Sequence, residues 1–67
     1  MNKDIVEGKW KQLKGEAQKQ WGKLTDDDFD KIAGQRAKFA GKVQSLYGKS
    51  KEEAEKEFDS FCKRHNC

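Results

Sequence analysis

A repeat constrains this chain more than any other feature. Residues 8–28 (GKWKQLKGEAQKQWGKLTDDD) align without a gap on residues 34–54 (GQRAKFAGKVQSLYGKSKEEA), so the fold has to be read through that unit. Gly8, Gly15, Gln18, Gly22 and Lys23 recur as Gly34, Gly41, Gln44, Gly48 and Lys49. Leu13, Ala17, Trp21, Asp26 and Asp27 recur conservatively as Phe39, Val43, Tyr47, Glu52 and Glu53. All six glycines fall on two ladders with a seven-residue step, 8-15-22 and 34-41-48.

Each copy reads as a helix followed by a capped restart. Val6, Trp10, Leu13, Ala17 and Trp21 advance by steps of three and four, which keeps them on one helical stripe. Ile32, Phe39, Val43, Leu46 and Tyr47 do the same in the second copy. Arg36 takes the place of Trp10, so its stem is expected to cover core while its guanidinium reaches an acid or an aromatic face. Gly22 and Gly48 follow directly on Trp21 and Tyr47, the place of a left-handed helix end. Thr25 with Asp28, and Ser50 with Glu53, have the spacing of capping boxes, and Leu24 with Phe29 that of a hydrophobic staple. The acids Asp26, Asp27, Asp28, Glu52 and Glu53 then sit in first turns, where the helix dipole favours them. A last helix carries Ala54, Phe58, Phe61 and Cys62 on one side.

The pattern predicts an all-α domain spanning residues 1–67, with helices near 3–21, 26–47 and 51–63 and a tail that frays from about residue 63. The middle helix is expected to bend or break around Gly34, and a break gives four helices. Ile5, Val6, Trp10, Leu13, Trp21, Leu24, Phe29, Ile32, Phe39, Val43, Leu46, Tyr47, Phe58 and Phe61 suffice for one thin core. With 67 residues, 40% of them charged and 33% hydrophobic, the chain has room for a single small domain. A ligand pocket of about 300 Å³ or more is not expected from so small and polar a scaffold. No apolar run approaches the roughly 20 residues of a membrane span. The start, Met-Asn-Lys-Asp-Ile-Val-Glu, shows no apolar signal core, so the expected location is the cytoplasm.

Several of these pieces occur together in a known family. The stretch Trp10 to Lys23, WKQLKGEAQKQWGK, followed by LTDDD and by GKVQSLYGKSKEEAEKE, resembles the CsbD-like family of small bacterial stress-induced proteins over nearly the whole chain. W-K-Q-x-K-G, W-G-K-L-T-D-D-D and Y-G-x-x-x-x-x-A-E-K-E are specific in combination. The resemblance implies a bundle of three to five helices arranged as two packed α-hairpins, somewhat like a SAM domain, and induction in the general stress response. It implies no catalytic residue and no cofactor. The end of the chain, from Phe61 to Cys67, departs from the family pattern, and nothing is carried over there.

The residues themselves offer little reactive chemistry. His65 is the only histidine. Cys62, His65 and Cys67 form a C-x-x-H-x-C cluster of soft ligands that lacks a fourth member and matches no recognised metal cage. The favoured reading makes Cys62 a small core-facing hydrophobe and leaves Cys67 exposed, free to oxidise or to link two chains. Asp26-Asp27-Asp28-Asp30 and Glu52-Glu53-Glu55-Glu57 are accounted for by helix capping rather than by cation binding.

Charge comes in blocks: residues 34–51 carry Arg36, Lys38, Lys42, Lys49 and Lys51 with no acid, whereas 52–61 carry five acids against Lys56. Lys38, Lys42, Lys49 and Lys51 therefore define an alternative function, a nucleic-acid-binding helical module. A net charge of +3 and a pI near 8.9 fall short of the usual range for such domains. The leading expectation is a soluble, monomeric, non-enzymatic stress protein that touches proteins or other macromolecules weakly through its surface, without cofactor, metal or membrane. An adaptor role would instead require an exposed apolar patch around Trp10 or Trp21. Gly15 and Gly41 lower helix stability and point away from the apolar stripe. They fit either a face that another backbone approaches or a soluble, loosely held fold, and the second is preferred.

Overall fold

The structure, a computed structural model, describes residues 4–67. Four helices follow in order: α1 (Glu7–Gln20), α2 (Asp26–Ile32), α3 (Arg36–Tyr47) and α4 (Lys51–Arg64). There is no strand among the described residues, and the all-α expectation holds.

The expected long middle helix is broken, because Ala33 (φ 50°) and Gly34 (φ 76°) both adopt the left-handed conformation. This bend brings the Gly34 carbonyl to the Ile5 amide at 2.8 Å, and Ile5 is buried there. The same contact explains why α1 begins at Glu7 rather than near residue 3, itself outside the described residues. Docking on the α2–α3 turn keeps Ile5 and Val6 out of the helix, with Val6 extended. Val6 becomes the N-cap residue and is exposed, not part of the core stripe.

Both capping boxes form. Thr25 Oγ1 accepts from the Asp28 amide while Asp28 accepts from the Thr25 amide, and Ser50 and Glu53 repeat the exchange at α4. The two glycine helix ends differ. Gly48 closes α3 at φ 66°, as expected, but α1 ends through Trp21 at φ −120° and Gly22 takes no positive φ. The path from aromatic to N-cap residue is one residue longer in the first copy, Trp21 to Thr25, than in the second, Tyr47 to Ser50. The extra length is spent on Leu24, which turns back by its amide to the Trp21 carbonyl and buries itself.

The core joins Ile5, Trp10, Leu13, Ala17, Trp21, Leu24, Phe29, Ile32, Phe39, Ala40, Val43, Ala54, Phe58 and Phe61. Phe39 lies at its centre, with its ring centroid 4.7 Å from Trp21 and 5.1 Å from Phe58. Trp21 also meets Phe61 edge-on at 5.2 Å. Leu46, placed in the core by the stripe, is exposed, and Tyr47 is half-buried, because α3 turns Phe39, Ala40 and Val43 inward instead. Trp10 and Trp21 are both buried, so neither ring contributes to the exposed apolar patch that an adaptor role would require.

Candidate functional site

Long-range polar contacts clamp the helix pairs and thereby decide which charges stay available. Lys14 on α1 reaches Asp26 at 2.8 Å and Asp30 at 2.6 Å on α2, and Gln18 donates to Asp26 at 2.7 Å. Trp10 Nε1–H donates to the Phe29 carbonyl at 2.9 Å. Between α3 and α4, Arg36 grips Asp59 with two parallel bonds of 2.8 Å and reaches Glu55 at 3.2 Å. This is the acid contact expected of an arginine in the Trp10 position. The α3 N-terminus has no side-chain cap of its own, and Asp4 supplies one by accepting from the Arg36 amide at 3.0 Å.

The second glycine-lysine pair joins a further cluster. Glu57 accepts from Trp21 Nε1–H at 2.8 Å and is paired with Lys49. Tyr47 lies between Lys23 and Lys49, whose ammonium groups stand 5.1 and 5.8 Å from its ring centroid. Its hydroxyl accepts from the Lys23 amide at 3.1 Å. Lys49 is thus held against the protein, one of four lysines proposed for nucleic acid but engaged at home.

The other three lie apart from it. Lys42 on α3 pairs with Asp28 at 3.1 Å, Lys38 is exposed one turn earlier, and Lys51 is exposed at the first position of α4. Lys38 and Lys42 line a shallow open groove of about 350 Å³ between α2 and α3, together with Lys31, Ile32, Gly41 and Ser45. A depression of that volume is not expected from so small a chain; it lies between α2 and α3, which the left-handed break at residues 33–34 separates into two helices. Lys31 was not singled out in the sequence, and its own partner is Asp27 at 3.2 Å. Lys38, Lys42 and the helix-interior Gly41 are the groove residues to which the sequence draws attention.

At the end of the chain the cysteines are neither free nor available as ligands: Cys62 and Cys67 form a disulfide with each other. Cys62 packs against the core as expected, and the His65 ring lies tilted against Phe61 with centroids 4.5 Å apart. Among the described residues no group of three or more His, Cys, Asp or Glu is placed to hold a metal ion. No helix among them is long and apolar enough to cross a membrane.

These contacts set an acid limit. The backbone bond from Thr25 and the Lys42 ammonium hold the Asp28 carboxyl below its ordinary 3.8, and Lys14 with Gln18 does the same for Asp26. Burial works against the charge of Glu57, but Lys49 and Trp21 outweigh it and hold its pKa below 4.5. A depressed folded-state pKa means that the unfolded chain takes up protons first as pH falls. The stability from these groups is complete above their ordinary values and lost on descending through the folded ones. The urea midpoint is therefore expected to stay level down to about pH 5 and to fall below it. In Glu57→Gln that decline should be shallower, and an unchanged decline in the variant would show that Glu57 takes no part.

The chain is similar in sequence to known proteins over nearly its whole length. Residues 4–56 match the family described as CsbD-like. Over 65 residues the chain is 57% identical to the UPF0337 protein pc0632 of Protochlamydia amoebophila, covering 97% of this chain and 98% of that protein. It is 56% identical over 66 residues to the UPF0337 protein YjbJ of Escherichia coli, covering 98% of this chain and 96% of that protein. The UPF0337 protein YjbJ of Salmonella typhimurium is 52% identical over 66 residues, covering 98% of this chain and 94% of that protein.

Proposed function

The chain belongs to the CsbD-like family, and from that premise we propose that it is a non-enzymatic cytoplasmic protein of the general stress response, protective through weak surface contacts with other macromolecules. The observation that carries this reading is the open glycine face. A Cβ built on Gly8, Gly15, Gly22 or Gly41 meets nothing within 4 Å. Gly15 and Gly41 lie inside α1 and α3, where glycine forfeits about 0.8–1 kcal/mol of helix stability relative to alanine. The fold does not need them, so what they serve lies outside the core. They bare helix backbone to water and lower the stability of the helices that carry them, while no charged or polar side chain of the described residues is buried. The result is a charged, hydrated surface suited to many brief contacts rather than one tight one.

Gly15→Ala and Gly41→Ala are each expected to raise stability by about 0.8–1 kcal/mol, a rise of roughly 4–8 °C in melting temperature followed by circular dichroism. The function is tested by heating a labile model enzyme with increasing amounts of the protein and following light scattering. Gradual suppression without a stoichiometric end point is expected. No more suppression than an equal mass of an unrelated small protein would overturn the reading.

One observation favours the nucleic-acid alternative: Lys31, Lys38 and Lys42 line the same groove. Fluorescence anisotropy of labelled duplex and single-stranded DNA, at low and physiological salt with reductant present, separates the two readings. Binding that falls steeply with salt and is abolished by Lys38→Ala with Lys42→Ala would establish the alternative.

A further inference from the structure

We propose that Cys62 and Cys67 are a reversible thiol–disulfide exchange site built on the C-terminal cap of α4, with an anionic low-molecular-weight thiol as its reaction partner. The cap geometry places the sulfurs. α4 ends at Arg64, His65 is the C-cap residue, and Asn66 follows in the left-handed conformation at φ 59°. The Cys67 amide then returns to the Cys62 carbonyl at 3.0 Å. That is the six-to-one hydrogen bond of a Schellman ending, in which the second residue past the cap lies against the third residue from the helix end. In most proteins two apolar side chains meet there. Here the two positions are Cys67 and Cys62, their Cα atoms 4.9 Å apart, so the hydrogen bonding that terminates the helix also gathers the pair. Asparagine is among the few residues other than glycine that enter the left-handed region readily, so Asn66 is the positioning residue of the site.

The two sulfurs differ in access. Cys67 is exposed, while Cys62 is half-buried against the core. Lys63 and Arg64 are exposed beside them and draw an anionic thiolate to the surface. In the reducing direction the thiolate attacks Cys67 Sγ, the bond to Cys62 Sγ breaks, and the electron pair leaves on Cys62, which takes a proton from water. A second thiolate then attacks the incoming sulfur and releases Cys67 as a thiolate. Two thiols of the reagent are oxidised to its disulfide, and the protein disulfide is reduced to two thiols. The consequence reaches the core, because the cap carries His65 against Phe61 and Phe61 lies edge-on to Trp21.

The test equilibrates the full chain without oxygen in glutathione buffers of varied reduced-to-oxidised ratio, quenches with an alkylating reagent and reads the products by mass spectrometry. A single two-electron transition between dithiol and intrachain disulfide is expected, with no dimer. In Asn66→Val, whose branched side chain resists the left-handed conformation, the equilibrium should shift toward the dithiol by about fivefold or more, whereas Asn66→Gly should not shift it that way. Cys62→Ser is expected to form a mixed disulfide with glutathione faster than Cys67→Ser, since it retains the exposed sulfur. An absence of intrachain disulfide at every ratio, a dominance of linked dimers, an unshifted equilibrium in Asn66→Val, or the reverse order of rates would each overturn the proposal.

Discussion

Phe39→Ala is expected to leave the protein largely unfolded at room temperature, with loss of helical circular dichroism and of any cooperative urea transition. Phe39 has no exposed surface and touches Trp21 from one pair of helices and Phe58 from the other. Removing a buried phenylalanine ring costs about 3–5 kcal/mol, because the cavity it leaves closes only in part. A single core in a domain of this size supplies about the same amount in total. The two quantities meet, so the variant has nothing left over. Phe39→Leu keeps most of the volume and should remain folded at a cost of about 1–1.5 kcal/mol, with a lower urea midpoint and an unchanged slope. If Phe39→Ala instead keeps a midpoint near that of the parent, the four helices do not share one core and the central place given to Phe39 is wrong.

What the sequence made legible was local. Thr25 with Asp28 and Ser50 with Glu53 were readable because a capping box is written within four consecutive residues and closes within them. The inward stripe of α4 was readable for the same reason. Arg36 was readable because the repeat set it where Trp10 stands. The failures have a different character. Trp21-Gly22-Lys23 and Tyr47-Gly48-Lys49 look alike, yet only Gly48 turns left-handed, because the burial of Leu24 routes the first connection differently. Val6 continues the periodic stripe but falls outside α1, since Ile5 is held to Gly34 across the fold. The lysines show the same limit. Lys42 and Lys49 look like free cations in a basic segment until α2 brings Asp28 to one and α4 brings Glu57 to the other. The cysteine pair was hidden because its spacing has meaning only once α4 ends at Arg64 and Asn66 turns the chain back.

Gly34→Ala carries the second large effect, and its neighbours show why. A Cβ on Gly34 would overlap the Ile5 carbonyl oxygen and stand 3.1 Å from the Ile5 carbonyl carbon, and both are backbone atoms that cannot rotate away. The residue is also left-handed, which alone costs an ordinary residue about 1–2 kcal/mol. Relieving the overlap means undocking Ile5, whose burial stabilises by about 1.5–3 kcal/mol. The expected loss is about 3 kcal/mol or more, read as a fall in the urea midpoint together with faster hydrogen exchange at the Ile5 amide. Gly48→Ala isolates the conformational part, because Gly48 is left-handed but its added Cβ meets nothing within 4 Å. That variant should lose only about 1–2 kcal/mol. Ala33→Gly should move the other way, relieving left-handed strain at φ 50° and gaining up to about 1 kcal/mol after the extra freedom of glycine in the unfolded chain is subtracted. A loss in Gly34→Ala larger than that in Gly48→Ala would place the break between α2 and α3 under the control of the Ile5 contact. Equal losses in Gly34→Ala and Gly48→Ala would show that the contact with Ile5 adds nothing beyond the turn.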